Sequence, residues 1–200
     1  MPILLHVGCG PNRKAQTTAG FAGEGWSELR LDIDPAASPD IVGTMTDMSA
    51  LADESVDAIF SSHNIEHLYP HEVGTALAEF LRVLKPGGFA VITCPDLQAV
   101  AELVAQDRLT EPAYESPAGP IAPLDILYGH RPALAAGNLY MAHRCGFTER
   151  VLTATLQGCG FASVASFRRP AAFDLWALAA RSPTDEAALR VLAQTYLPAG

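Results

Sequence analysis

An apolar run from Ile3 to Val7 is cut off at once by Gly8-Cys9-Gly10-Pro11. A short apolar run bounded by glycine and proline reads as a buried strand entering a tight turn. The same alternation continues along the chain. Strand-like runs follow at Glu28–Ile33, ending in Asp34-Pro35, weakly at Asp40–Met45, and then at Asp57–Ser61 and Phe89–Cys94. Between the last two, Val73, Ala76, Leu77, Phe80, Leu81 and Leu84 recur on one face of a helix. Lys85-Pro86-Gly87-Gly88 stops that helix, since proline cannot continue it and glycine permits the reversal. Asp96 is placed to cap a further helix carrying Leu97, Val100, Ala101 and Val104. Thr148–Gln157 reads as another helix, Ala162–Arg168 and Phe173–Ala179 as a closing hairpin, and Thr184–Tyr196 as a helical tail. Arg13–Gly25 lacks a helical pattern, so the first helix is expected to be short or missing. Strands alternating with helices predict an α/β fold: a Rossmann-like, seven-stranded, mostly parallel sheet with helices on both faces and an antiparallel C-terminal hairpin.

Length and composition narrow the reading further. Two hundred residues, 49% hydrophobic and 18% charged, suit a single domain spanning residues 1–200 with a real core. Periodicity fails from Arg108 to Phe147, where five prolines are interspersed with Tyr114, Tyr128, Tyr140, His130 and His143. An irregular stretch of that length inside a domain is expected to be a lid or binding loop, with short helical turns. A net charge of −9 without a basic run argues against nucleic-acid partners. The four cysteines, Cys9, Cys94, Cys145 and Cys159, have no metal-ribbon or dithiol spacing. With no basic leader and no apolar run of membrane-spanning length, the chain is expected to be cytoplasmic.

The glycine turn and the acid beyond it form the strongest constellation. In open α/β sheets ligands bind at the carboxyl ends of the strands, where glycines let backbone approach them closely. Asp32 follows Gly10 by 22 residues and ends the next strand, where a carboxylate can accept from two ribose hydroxyls. Taken alone, Gly8-Cys9-Gly10 is more often a plain tight turn, and with Asp32 either a dinucleotide or S-adenosylmethionine fits beside it. The dinucleotide fingerprint needs glycine or alanine where this chain has Arg13.

The ordered set Leu5-His6-Val7-Gly8-Cys9-Gly10-Pro11, Leu31-Asp32-Ile33-Asp34-Pro35, Asp47-Met48-Ser49, Ser55 to Leu68 and Leu81 to Gly88 resembles the class I S-adenosylmethionine-dependent methyltransferases. Within that family it most resembles the short bacterial enzymes associated with polysaccharide and lipopolysaccharide synthesis. The resemblance spans residues 3–96, with His6 where many members have an acid. It implies S-adenosylmethionine as cofactor and a set of roles. Gly8, Cys9 and Gly10 would lie along its methionine and ribose, Asp32 on the ribose hydroxyls and Ile33 against adenine. Asp47 would take the adenine amino group, Met48 the ring face, and Ser62 and His63 the methionine end.

Methyl transfer from a sulfonium needs alignment above all, and a general base where the acceptor is a hydroxyl. Candidates for the base are His63, His67, Asp96, His130 and His143, with His63 or His143 favoured. Asn64 and His67 stand three residues apart, but without further acids on that face no metal is expected. The reading is methyl transfer, as O-methylation, to a small-molecule or saccharide-linked acceptor. Its rivals are a non-catalytic S-adenosylmethionine-binding module and a nicotinamide-dependent oxidoreductase. Oligomeric state is not legible.

Overall fold

The computed structural model describes residues 1–198. In chain order its elements are β1 (Ile3–Val7), α1 (Ala19–Ala22), β2 (Ser27–Asp32), β3 (Ile41–Val42), β4 (Val56–Ser62), α2 (Val73–Val83), β5 (Leu84–Pro95) and α3 (Leu97–Ala105). Then come β6 (Tyr114–Ser116), β7 (Gly119–Ile121), α4 (Pro123–Tyr128), α5 (Arg131–Ala135), α6 (Glu149–Gly158), β8 (Ser163–Arg169), β9 (Asp174–Ala180) and α7 (Glu186–Tyr196). Seven strands form one sheet in the order β3-β2-β1-β4-β5-β9-β8, while β6 and β7 pair only with each other. The first five strands run parallel, and β9 lies antiparallel between β5 and β8. The Rossmann-like sheet and its antiparallel end are as expected. Among the described residues no helix is long and apolar enough to cross a membrane.

Strands buried on both faces explain why these runs are nearly continuously apolar. On one face Leu5, Val7, Ile59 and Ile92 pack under Leu77 and Phe80 of α2 and Leu152 and Leu156 of α6. On the other, Leu4, Phe60, Val91 and Leu178 pack with Phe21 of α1 and Leu189, Leu192 and Tyr196 of α7. The ring of Tyr196 sits 4.7 Å from that of Phe21 and 4.8 Å from that of Phe89. The C-terminal helix thus covers sheet surface that a longer helix after β1 would otherwise occupy.

One expectation holds and two shift in detail. The first helix is indeed reduced, to a 3-10 turn at Lys14–Gln16 and the single turn of α1. The weak third strand shrinks to Ile41–Val42. The Lys85–Gly88 segment is not a loop, because β5 already begins at Leu84. Gly87 takes φ +80° and Gly88 passes 2.9 Å from the Asp57 carbonyl, measured from where a Cβ would stand. The two glycines therefore let the strand kink and continue rather than reverse. Residues 108–147 fold into the β6–β7 hairpin, α4, α5 and a 3-10 turn at Leu139–Met141. Buried Asp125 holds α4 to α5, accepting from Arg131 Nε at 2.7 Å and from the Ala122 amide at 2.9 Å. The Arg131 guanidinium keeps the Asp125 carboxyl well below the usual carboxylate range, against the opposing effect of burial.

Arg30, in the middle of β2, is 1% exposed. Its guanidinium donates to the carbonyls of Gly10 and Asn12 in the turn after β1, and to Ala37 and Ser38 in the turn after β2. A planar cation with five donors is suited to collecting carbonyls that neither turn can satisfy internally. Replacing it with leucine removes the donors of four part-buried carbonyls at once, each worth about 1–3 kcal/mol where water does not take the donor's place. We expect Arg30→Leu to lower the unfolding free energy by about 3 kcal/mol or more, read from urea denaturation. A loss below about 1 kcal/mol would show that the two turns hold themselves.

Candidate cofactor site

The glycine turn is built by its neighbours. Gly8 and Gly10 have φ of +61° and +50°, conformations that side-chain-bearing residues avoid. The Leu31 carbonyl accepts from the amides of Gly8 and Cys9 at 2.8 and 3.3 Å. Asp32 Oδ2 accepts from the Gly10 amide at 2.7 Å, and Oδ1 from the Asp34 amide at 2.8 Å. From the other side Asn64, just past β4, donates to the Val7 carbonyl at 2.9 Å and the Ser62 carbonyl at 3.0 Å. A Cβ on Gly8 would lie 1.8 Å from Asn64 Oδ1, so glycine is required there by space as well as by φ. The turn therefore sits where β1 has β2 on one side and β4 on the other, the switch point of the sheet.

A cavity of about 610 Å³ opens over this turn, within the range of small-molecule sites. Gly8, Gly10, Asp32, Ile33 and His63, all expected at a cofactor, line it. The remaining expected residues stand elsewhere. The Cys9 and Met48 side chains are buried, each 1% exposed, and neither lines the cavity. Ser62 is also off its wall. Asp47 faces a separate shallow depression with Glu79 and Arg82, and its carboxylate accepts from the Ser49 amide at 3.0 Å. The local chain path thus places Asp47 and Met48, the residues expected at adenine, away from this cavity wall. After β3 the backbone reverses through a bridge between Thr44 and Asp47. The Met48 amide is then held on Glu79 Oε2 at 2.7 Å and its carbonyl by Arg82 at 2.9 Å. That draws Met48 into the core and leaves Thr44, Met45 and Thr46 on the wall.

The histidines divide in a similar way. His63 sits at φ +52° with its amide on the Thr93 carbonyl at 2.9 Å, a strained backbone at the cavity edge. Its ring is about half exposed, with Nδ1 3.4 Å from Oε1 of Glu66, which is 1% exposed. Desolvation pulls the His63 pKa down, but the hydrogen bonding and charge of Glu66 outweigh it and raise the pKa above the usual value. Burial raises the Glu66 pKa while His63 lowers it, and the net direction is down. His67 also lines the cavity, whereas His143 stacks edge-on behind it, ring centroids 4.9 Å apart. Burial lowers the His143 pKa. Of the other base candidates, His130 lies off the cavity wall. Asp96 is fully buried, caps α3 at Gln98 and pairs with Arg168 at 2.6 Å, which makes it a structural carboxylate.

Two contributors are not evident from the sequence: Arg30, and Asn64 as a wedge behind Gly8. Arg30 has a signal, a lone cation in a strand otherwise reading as buried. The Asn138–Arg144 strap falls in the expected lid and brings Tyr140, Met141 and Arg144 to the wall.

Residues 5–92 match a family described as a methyltransferase domain. An uncharacterized methyltransferase of Mycobacterium avium is 40% identical over 102 residues, covering 45% of this chain and 38% of the relative. The chain thus spans well under half the length of the curated relatives it matches. Among solved structures, the Burkholderia thailandensis 1,6-didemethyltoxoflavin-N1-methyltransferase, with S-adenosylhomocysteine bound, superposes with a TM-score of 0.55 at 19% identity, over 92% of this chain and 72% of that one. A Thermotoga maritima S-adenosylmethionine-dependent methyltransferase gives 0.57 at 13% identity, over 91% and 83%. Residues 5–92 are thus similar to a methyltransferase domain, and the chain has the fold of the S-adenosylmethionine-dependent methyltransferases it superposes on.

Proposed function

We propose that the protein is a methyltransferase that binds S-adenosylmethionine in the cavity over the glycine turn and methylates a hydroxyl of a small-molecule or saccharide-linked acceptor. One observation supports this above others: Gly8, Gly10, Asp32 and Ile33 converge on one cavity at the switch point of the sheet. The residues present suit the cofactor. Asp32 has one backbone amide on each oxygen, which leaves lone pairs on both for a ribose diol. Ile33, 46% exposed, and Met45 offer apolar surface to an adenine ring. The bound cofactor would supply an already activated methyl group as a sulfonium.

The chain's own task is then orientation, exclusion of water and movement of one proton. His63 is the base in this reading. Glu66 lies on its Nδ1 side, leaving Nε2 for an acceptor proton, and a raised pKa strengthens it as a base. His143 stays behind His67 in this scheme. Residues 108–147 act as the acceptor-side lid of a single domain, through Tyr140, Met141 and Arg144. The likeness of the Leu5–Pro11, Ser55–Leu68 and Leu81–Gly88 motifs to the polysaccharide-associated branch makes sugars the first acceptors to screen.

In calorimetric titrations Asp32→Ala should bind S-adenosylhomocysteine at least about tenfold more weakly than wild type, since a charge-assisted bond of about 1.5–3 kcal/mol is lost. Circular dichroism checks that the variant is folded, and NAD serves as the non-binding control. Equal affinity in a folded Asp32→Ala protein would remove the ribose assignment. With an acceptor in hand, Tyr140→Ala should lower turnover while leaving S-adenosylhomocysteine affinity unchanged. Tyr128→Ala, at a residue off the cavity wall and 63% exposed, should change neither. Full turnover in Tyr140→Ala would take the acceptor away from this strap.

A further inference from the structure

Beside the cavity lies a buried carboxylate, Glu66, 1% exposed, whose oxygens make no well-formed hydrogen bond and whose nearest partner, His63 Nδ1, stands 3.4 Å from Oε1. A buried carboxylate is tolerated when it is paired or ligates a metal. Around it the chain assembles two imidazoles from distant segments. One nitrogen of His67, one nitrogen of His143 and a Glu66 oxygen all lie within 4.8 Å of one another, the one such group of three found among the described residues. His67 Nδ1 is 3.1 Å from the Ala142 carbonyl and His143 Nδ1 is 2.7 Å from the Ile126 carbonyl. A carbonyl can only accept, so each Nδ1 carries the proton and each Nε2 keeps a free lone pair. That arrangement, with the second ring nitrogen anchored on a carbonyl, is how metal-ligating histidines are oriented.

The cluster is also held from outside. The Glu66 carbonyl accepts from the amides of Arg144 and Cys145 at 2.8 and 3.2 Å, and the His67 carbonyl from Arg144 Nη1 at 2.9 Å. Cys145 Sγ donates to the Ile65 carbonyl at 3.3 Å. The strap bearing His143 is therefore fastened by main-chain bonds to the turn bearing Glu66 and His67. We infer that Glu66, His67 and His143 form a binding site for a divalent transition-metal ion of the zinc type. Two imidazoles and a carboxylate suit such an ion better than magnesium or calcium, which prefer oxygen ligands alone. Ligands on a tetrahedral zinc stand roughly 3.4 Å apart, a closure that side-chain torsions supply. His67 lies on the cavity wall, so the remaining coordination positions open toward the cavity. The sequence reading weighed Asn64 and His67 and expected no metal. The spacing of Glu66 and His67 from His143 hides the set in the linear chain. The competing arrangement is a self-contained pair between Glu66 and a protonated His63, 3.4 Å away.

The test uses tag-free protein stripped with EDTA and desalted, titrated with zinc chloride by calorimetry and with cobalt(II) chloride by visible absorption. One equivalent should bind with micromolar affinity or better, and the cobalt spectrum should show nitrogen and oxygen ligation without a thiolate charge-transfer band. Glu66→Gln, which keeps the side-chain shape, and His143→Ala should each weaken binding by more than about 100-fold, beyond the range for outer-shell changes. Failure of wild-type protein to bind either ion overturns the inference and favours the His63–Glu66 pair. So does a thiolate band, or binding that both variants leave unchanged. S-adenosylhomocysteine affinity measured on the same samples separates the two readings: its loss with metal binding intact counts against the cofactor site alone, and the reverse against the metal site alone.

Discussion

The guanidinium of Arg30 and the carboxylate of Asp32 hold the two ends of Gly10 between them. Arg30 donates to the Gly10 carbonyl while Asp32 accepts from the Gly10 amide at 2.7 Å. The two residues are separated by one position on β2 and so lie on the same side of the strand. One strand thereby fixes a positive-φ turn that belongs to its neighbour. Arg30 reaches on to the Ala37 and Ser38 carbonyls, so the floor and one wall of the cavity share a single buried cation. Its charge is tolerated in the interior because four carbonyl oxygens accept from it. Everything proposed for the cofactor rests on that clamp, since a free turn at Gly8–Gly10 would present no defined concavity.

The opposite wall comes from β4 and the segment behind it. Asn64 occupies the space a side chain at position 8 would need, and in doing so ties β1 to the end of β4. His63 pays for this with a left-handed backbone, and it is the residue left facing the cavity beside the turn. The strap at 142–145 then bonds to the carbonyls of Ile65, Glu66 and His67. Helix α7 and the small α1 play no part in the cavity wall, but they close the second face of the sheet around Phe21, Phe89 and Tyr196. Their packing leaves the carboxyl ends of the strands free for function, as the Asp32 and Tyr140 variants would probe.

How much was legible follows from what kind of force sets each feature. Ile3–Val7, the stripe on α2 and the closing hairpin were readable because burial alone imposes their periods. Gly8, Gly10, Asp32 and Ile33 were readable because a local turn and a strand end lie close along the chain. Asp47 and Met48 stand off the cavity wall because Glu79 and Arg82, about thirty positions on, decide which way that loop turns. Arg30 is hard to read for a different reason, as its partners are carbonyls rather than side chains. The meeting of Glu66 and His67 with His143 depends on main-chain bonds across an irregular segment that has no sequence period to follow.

A crystal structure with S-adenosylhomocysteine bound would show whether the Arg30–Asp32 clamp shapes a nucleoside site. We expect the two ribose hydroxyls on the Asp32 carboxylate, the adenine between Ile33 and Met45, and the Gly10 turn unmoved. A nucleoside bound away from Asp32, or one that binds only after the Gly8–Gly10 turn rearranges, would contradict it.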